Sequence, residues 1–293
     1  MTTSGSNDYA AFRRVLRRVA PAIARDLPWV AHGDPWAVLV SEFMLQQTQT
    51  SRVVGPWRSF LDAYPTPKDC ADATLAGVLQ RWSGLGYHRR AKALHDAARI
   101  IRDEFNGEVP SEVVDLRRLP GVGDYTAHAV ASFAYGKPVA VLDTNVGRIL
   151  ARALENRSLR ASEARDAARA LLPRRDSAGF NQAMLDLGAQ FCRSSPRCDD
   201  CPVAGVCRWR LEGGLDPAPH SAAVSRPQPA FAGSDRQARG RVLAALREEP
   251  QSTTQLLKRL GDVGEVRTTN VIASLMRDGL VGRTGRLIHL SRD

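Results

Sequence analysis

The chain has 293 residues, enough for two or three domains and a substantial core. Its 41 Lys and Arg against 31 Asp and Glu, with most of the excess as Arg, favour a polyanionic partner, nucleic acid first. The polar start MTTSGSNDYA and the lack of any apolar run near ~18 residues leave no expected signal peptide or membrane span, so a cytoplasmic protein is expected.

Helical periodicity begins at 8–25, with Phe12, Val15, Leu16 and Val19 on one face and Arg13, Arg14, Arg17 and Arg18 on the other. Helices are predicted next at 36–50, 52–63, 74–82, 88–105, 111–118, 124–135, 144–154, 161–172 and 177–191, mostly separated by Pro, Gly or a capping residue. No run of alternating strands precedes residue 280, so 8–210 is expected to be all-α. Residues 211–234 hold four prolines with little periodicity and are predicted as a linker. Helices follow at 236–248, 252–260 and 265–278, then a hairpin around Thr284-Gly285. That order suggests a winged-helix-like module whose third helix would offer Arg267, Thr268, Thr269, Asn270 and Arg277 to a groove.

Three segments carry chemistry. In WAVLVSEFMLQQTQT (36–50) a nearly continuous apolar run encloses Glu42. A helix apolar all round is buried, and burial disfavours a charged carboxylate, which suits a general acid. The alternative is a buried Glu paired with an Arg of the first helix. At helical spacing Gln46 and Gln49 would lie on the stripe of Glu42. In LPGVGDYTA (119–127) Gly121, Val122 and Gly123 make a turn between two helices whose amides would face an anion, in a basic chain a DNA phosphate. In AVLDTNVGRIL (140–150) Asp143 stands before a helix start, as a catalytic carboxylate or simply an N-cap. Cys192, Cys198, Cys201 and Cys207 cluster with no His among them, which fits zinc or an iron–sulfur cluster, whereas Cys70 stands alone as a buried apolar residue.

SEFMLQQTQT, WSGLGYHRRA, LPGVGDYTA, VLDTNVGRIL and FNQAMLDLGAQFC occur in one order from about Leu27 to Cys207. Together they resemble the adenine DNA glycosylases of the MutY type, within the helix-hairpin-helix glycosylase superfamily. The resemblance implies a two-domain helix-hairpin-helix glycosylase with an iron–sulfur loop. One helical domain would comprise 1–34 and 139–210, with a six-helix barrel domain at 35–138, a linker at 211–235 and the winged-helix-like module at 236–293. It implies a monofunctional, monomeric enzyme that excises adenine opposite 8-oxoguanine or guanine in double-stranded DNA, associated with the nucleoid when bound.

The same resemblance implies residue roles. Glu42 would protonate the departing adenine, Asp143 would stabilise the oxocarbenium-like sugar and Asn145 would support it. Tyr125 stands where endonuclease III-like lyases carry a Schiff-base Lys. Gln46 and Gln47 would intrude into the duplex, Thr48, Leu85 and Tyr87 would surround the opposing base, and Trp29 and Gln182 would line the adenine pocket. Cys192, Cys198, Cys201 and Cys207 would hold a [4Fe–4S] cluster, although the first spacing is one residue shorter than is usual. Tyr87-His88 replaces the usual paired Tyr, Val30 follows Trp29 where Arg is frequent, and Asp124 adds a negative charge beside the hairpin. Residues 236–293 are too short and too helical for the β-rich domain that many relatives carry. The rival readings are a thymine glycosylase acting on G·T mispairs, against which Glu42 argues, and a DNA-binding protein without activity, which could dispense with Glu42 and Asp143.

Overall fold

The computed structural model describes residues 3–30, 33–225 and 229–291. It divides into two units, Met1–Gly33 with Asp124–Pro227, and Asp34–Gly123 with Gln228–Asp293. The boundary within the core falls between Gly123 and Asp124, inside the expected hairpin and upstream of the expected 138/139 division. The C-terminal helices and strands group with 34–123.

The first unit is all-helical. Helix Thr3–Ile23 packs with Ala161–Leu171 and Ser177–Gln190 around Phe12, Leu16, Ile149, Leu150, Leu171, Phe180 and Leu187. Helix Asp124–Tyr135 belongs here because Asn181 Nδ2 donates to the buried Ser132 Oγ at 2.9 Å and to Val139 O at 2.8 Å. The helix expected at 144–154 is α-helical over Thr144–Ile149 and widens to a π-helical turn over Leu150–Glu155. It stops at Asn156, whose φ is 46°. The expected linker is docked over part of its length. Arg152 forms a two-pronged ion pair with Asp216 at 2.8 and 2.6 Å, Ala222 N donates to Leu159 O, and Ala218 and Ser221 are buried. A run of Pro, Ala and Ser lacks periodicity, yet its backbone still finds partners.

The second unit begins with helix Pro35–Leu45. The Asp34 side chain accepts from the N–H groups of Trp36 and Ala37, and proline occupies the first turn. Every residue from Trp36 to Met44 is buried. Val54–Ala63, Leu75–Arg81, Arg89–Glu104 and Val113–Leu116 follow, together with Pro67–Asp72, which periodicity did not indicate. That short helix is set by a capping box between Thr66 and Asp69 with Pro67 between them.

The C-terminal part of this unit runs helix Asp235–Glu248, strand Gln251–Ser252, helices Thr253–Arg259 and Glu265–Arg277, then strands Val281–Thr284 and Leu287–Leu290. The last strand is central in an antiparallel sheet, pairing Gln251 with Ile288 and Val281 with Leu290. The first strand precedes residue 280 and was not expected, because two residues are too few to show alternation. On helix Glu265–Arg277, Arg267, Thr269, Asn270 and Arg277 are exposed, but Thr268 is buried in the module core. Among the described residues no helix is long and apolar enough to cross a membrane.

Candidate active site and DNA interface

Glu42 is 4% exposed in the middle of an all-buried helix, with Ser41 and Phe43 beside it at 0%. The predicted stripe of Glu42, Gln46 and Gln49 does not form. The helix ends at Leu45, Gln46 has ψ 111°, and Gln47 takes a left-handed φ of 57°. The cause is Arg90. Its Nη1 donates to Phe43 O and Met44 O, each at 2.9 Å, and to Gln46 O. Its Nη2 donates to Thr48 Oγ1 at 3.0 Å and to Leu85 O and Gly86 O at 3.3 Å. The four terminal N–H groups of one guanidinium are thus shared among six acceptors at the open end of a helix and in two loops. Burial draws the Arg90 guanidinium down to about 10.

Arg90 thereby gathers Gln46, Gln47, Thr48, Leu85 and Tyr87 around one centre. Tyr87 has φ 49°, and the Arg90 guanidinium lies 5.1 Å from its ring centre. Leu85 is buried, Thr48 half-buried and Gln47 exposed. Gln46 Nε2 also donates to Gly121 O at 3.3 Å, tying this centre to the Gly-Val-Gly turn. Gly121 has φ 77°, and a Cβ there would stand 2.8 Å from Ala93 Cβ and from the Phe43 ring, so only glycine fits. Gly123 does not share the positive φ. Val122 is buried beneath the turn.

In the first unit Asp143 caps helix Thr144–Ile149. Val146 N–H donates to Asp143 Oδ1 at 2.8 Å, and Asn145 Nδ2 donates to Oδ2 at 2.6 Å. Arg148 Nη2 donates to Asn145 Oδ1 at 2.6 Å, and Arg148 Nε to Cys192 O at 2.6 Å. Burial pushes the Asp143 carboxyl above the usual aspartate range, while the Val146 N–H, the Asn145 amide and the Arg148 guanidinium pull it back. Gly188 lets helix Ser177–Gln190 come close, since a Cβ there would lie 2.5 Å from Asn145 Cβ. Gln182 Nε2 donates to Asp186 Oδ1 at 2.8 Å, and Asp186 pairs with Arg25 at 2.7 Å. Because a carboxylate accepts only, the Gln182 amide is oriented with its nitrogen toward Asp186. Trp29 is 6% exposed, and Tyr125 is half-buried in the first turn of helix Asp124–Tyr135. Sequence reasoning missed Arg90, Arg148, Asp186 and Gly188. Arg148 and Asp186 carried a local signal, each one helical turn from a predicted site residue, Asn145 and Gln182.

Cys192, Cys198, Cys201 and Cys207 line a single largely apolar cavity of about 30 Å³ with Ile149, Leu187, Phe191 and Trp209. Arg152 Nη1 approaches Cys192 Sγ at 3.5 Å and donates to Arg193 O at 2.6 Å, pinning the start of the loop. Burial raises the thiols of Cys192 and Cys207, and that of Cys201 to about 11. Among the described residues no three His, Cys, Asp or Glu side chains are gathered to hold a metal ion. Cys70 lies apart, fully buried.

Residues 40–175 match the HhH-GPD superfamily of base excision DNA repair proteins. An adenine DNA glycosylase of Mycobacterium tuberculosis is 44% identical over 89% of this chain and 86% of its own length. Among solved structures, a thermostable thymine-DNA glycosylase superposes with a TM-score of 0.65 at 25% identity, covering 70% of this chain and 98% of that one. A trapped covalent complex of endonuclease III with DNA superposes with a TM-score of 0.61 at 25% identity, covering 72% and 99%. The chain belongs to the MutY-type adenine DNA glycosylases of the HhH-GPD superfamily.

Proposed function

We propose that this protein is a monofunctional glycosylase that releases adenine mispaired with 8-oxoguanine or guanine in double-stranded DNA. Its activity as an adenine DNA glycosylase of base excision repair follows from its membership of the family. The observation that carries the mechanism is the buried carboxyl of Glu42 on a helix with no other charge in its buried stretch. A carboxylic acid in that setting donates a proton to the Hoogsteen edge of an unstacked adenine. The glycosidic bond then breaks with its electron pair going to the base. Asp143 balances the positive charge left on the sugar, Asn145 fixes its orientation, and water adds to the anomeric carbon as a proton leaves. Tyr125 has no amine, so no imine forms and the product is an abasic site.

Supporting contacts complete the reading. Gln46 and Gln47 enter the duplex, Thr48, Leu85 and Tyr87 meet the opposing base, and the Gly121–Val122–Gly123 turn holds a phosphate. Trp29 and Gln182 line the adenine pocket. With its nitrogen held by Asp186, Gln182 offers its carbonyl oxygen to the adenine amino group.

The donor set suits a cluster by its chemistry, because four cysteines line one cavity among apolar neighbours and a [4Fe–4S] cluster takes one thiolate for each iron. Cys192, Cys198, Cys201 and Cys207 would hold it, and when bound it would brace the basic loop around Arg193 and Arg197. Anaerobically purified protein should carry about four irons per chain; zinc without iron would reject the cluster. Residues 236–293 form a winged-helix-like module, and the protein acts as a cytoplasmic monomer on nucleoid DNA.

The test is single-turnover base release from A·8-oxoG, A·G, G·T and oxidised-pyrimidine duplexes, with borohydride trapping alongside. Adenine release without a trapped complex is expected. Thymine release from G·T in preference, or efficient trapping, would overturn the reading.

A further inference from the structure

The C-terminal module meets the rest of its unit through helix Asp235–Glu248, through Asp278 and through strand Leu287–Leu290. From Asp235–Glu248, Arg236 Nη1 donates to Tyr87 Oη at 2.5 Å, and its guanidinium lies 5.6 Å from the Tyr87 ring centre. Arg239 donates to Asp278 Oδ2 at 2.5 Å, and the other Asp278 oxygen accepts from Arg89. Arg247 donates to Ser83 Oγ at 3.1 Å and to His88 Nε2 at 3.2 Å. Between these contacts lies a cavity of about 390 Å³, lined by Gln46, Gln47, Tyr87, His88, Arg89, Arg90, Arg236 and Arg239.

Three features describe what would fill it. Among the described residues four arginines line the cavity and no carboxylate does, Asp278 answering Arg89 and Arg239 from outside the lining. His88 is neutral, since the Arg247 guanidinium can only donate and His88 Nε2 must accept. The two non-glycine residues with left-handed φ among Asp34–Gly123 other than Asn106, namely Gln47 and Tyr87, both border it. Such backbone is kept where the surrounding structure holds a binding surface in place. A cavity of nucleotide size walled by guanidinium and carboxamide groups matches a phosphodiester flanked by a base edge.

We propose that the C-terminal module completes a binding site for a phosphodiester of the strand opposite the excised adenine, with Arg236 both contacting that phosphate and fixing Tyr87. The choice of strand rests on the functional reading above, which gives Gln46, Gln47 and Tyr87 to the opposing base. The module therefore acts through its first helix, not through the exposed face of Glu265–Arg277.

The test uses the full-length protein and A·8-oxoG duplexes carrying single neutral methylphosphonate linkages in the 8-oxoguanine strand. Arg236→Met should weaken binding about tenfold and lower the slope of log affinity against log salt by about one. One linkage near the lesion should weaken wild-type binding to a similar extent and cost the variant nothing more. Arg236→Lys, which keeps the charge, should recover the salt slope. Arg241→Met removes the same charge from the same helix, where Arg241 pairs with Asp262 away from the cavity, and should leave affinity and excision unchanged. Equal losses in the Arg236 and Arg241 variants, or no linkage whose effect vanishes in the Arg236 variant, would overturn the site. If the linkage coupling holds but wild-type protein releases no adenine, the functional reading fails and the phosphate site stands.

Discussion

Asp143 and Arg90 organise their surroundings in opposite ways. Asp143 sits at a helix start and accepts from Asn145 and Val146 within one turn of it, while Arg148 holds Asn145 from the next turn. Arg90 works at long range, holding carbonyls at Phe43 and Met44, nearly fifty residues upstream. The first centre is local and carries a negative charge that burial makes costly. The second is non-local, and its charge serves to terminate a helix and shape two loops. The contrast separates a site whose substitution should damage chemistry from one whose substitution should damage structure.

The largest effect should come from the chemical centre. Asp143→Asn keeps a good N-cap, so the fold should hold, yet single-turnover adenine release should fall by about 10³-fold or more. Glu42→Gln should lose activity on a similar scale by removing the proton donor. Both should bind duplex within a few-fold of wild type by fluorescence anisotropy. Near wild-type release by either variant would remove that residue from the mechanism.

Arg90→Met should do the reverse. It leaves the buried carbonyls of Phe43 and Met44 and the Leu85–Gly86 turn without a donor, which should cost about 3 kcal/mol of stability. Urea denaturation would measure the loss, and a change below about 1 kcal/mol would show that water replaces the guanidinium.

A smaller effect tests the seam between residues 83–90 and the C-terminal module. Burial, followed by Arg247, Arg239 and Arg90, depresses His88 to about 3. The unfolded histidine titrates near 6.5, so above that pH both states are neutral and His88 adds no pH dependence. As pH falls below that value the unfolded chain takes up a proton that the fold refuses, and stability drops. At about pH 5 the loss should be about 2 kcal/mol. His88→Asn should flatten this limb of the stability profile; an unchanged limb would assign the acid sensitivity elsewhere.

The smallest effect belongs to the module's outer face. Arg267 pairs with Asp235 at 2.7 Å, but both side chains are well exposed. Arg267→Met should change stability by less than about 0.5 kcal/mol. A larger change in the urea midpoint would mean that this face is more than a solvated surface.

The sequence by itself determined the helical core, the turn at Gly121, the burial of Glu42 and the capping position of Asp143. Each of these is local: an apolar run, a glycine turn, a capping residue before a helix. It also carried the family, because five motifs in fixed order need no folding to be recognised. What only the tertiary structure decided depends on partners far away in the chain. Periodicity ran the helix on to residue 50, but Arg90 takes its last carbonyls and stops it at Leu45. Pro-rich composition without periodicity suggested a linker, but Arg152 pairs with its Asp216 and Leu159 accepts from its Ala222 N–H. The C-terminal module carried the pattern of a recognition helix, yet Arg236 at the start of a different helix is the residue that reaches Tyr87. Propensity and capping act over one or two turns and can be seen in sequence, whereas a long charged side chain finds acceptors wherever the folded backbone leaves them open.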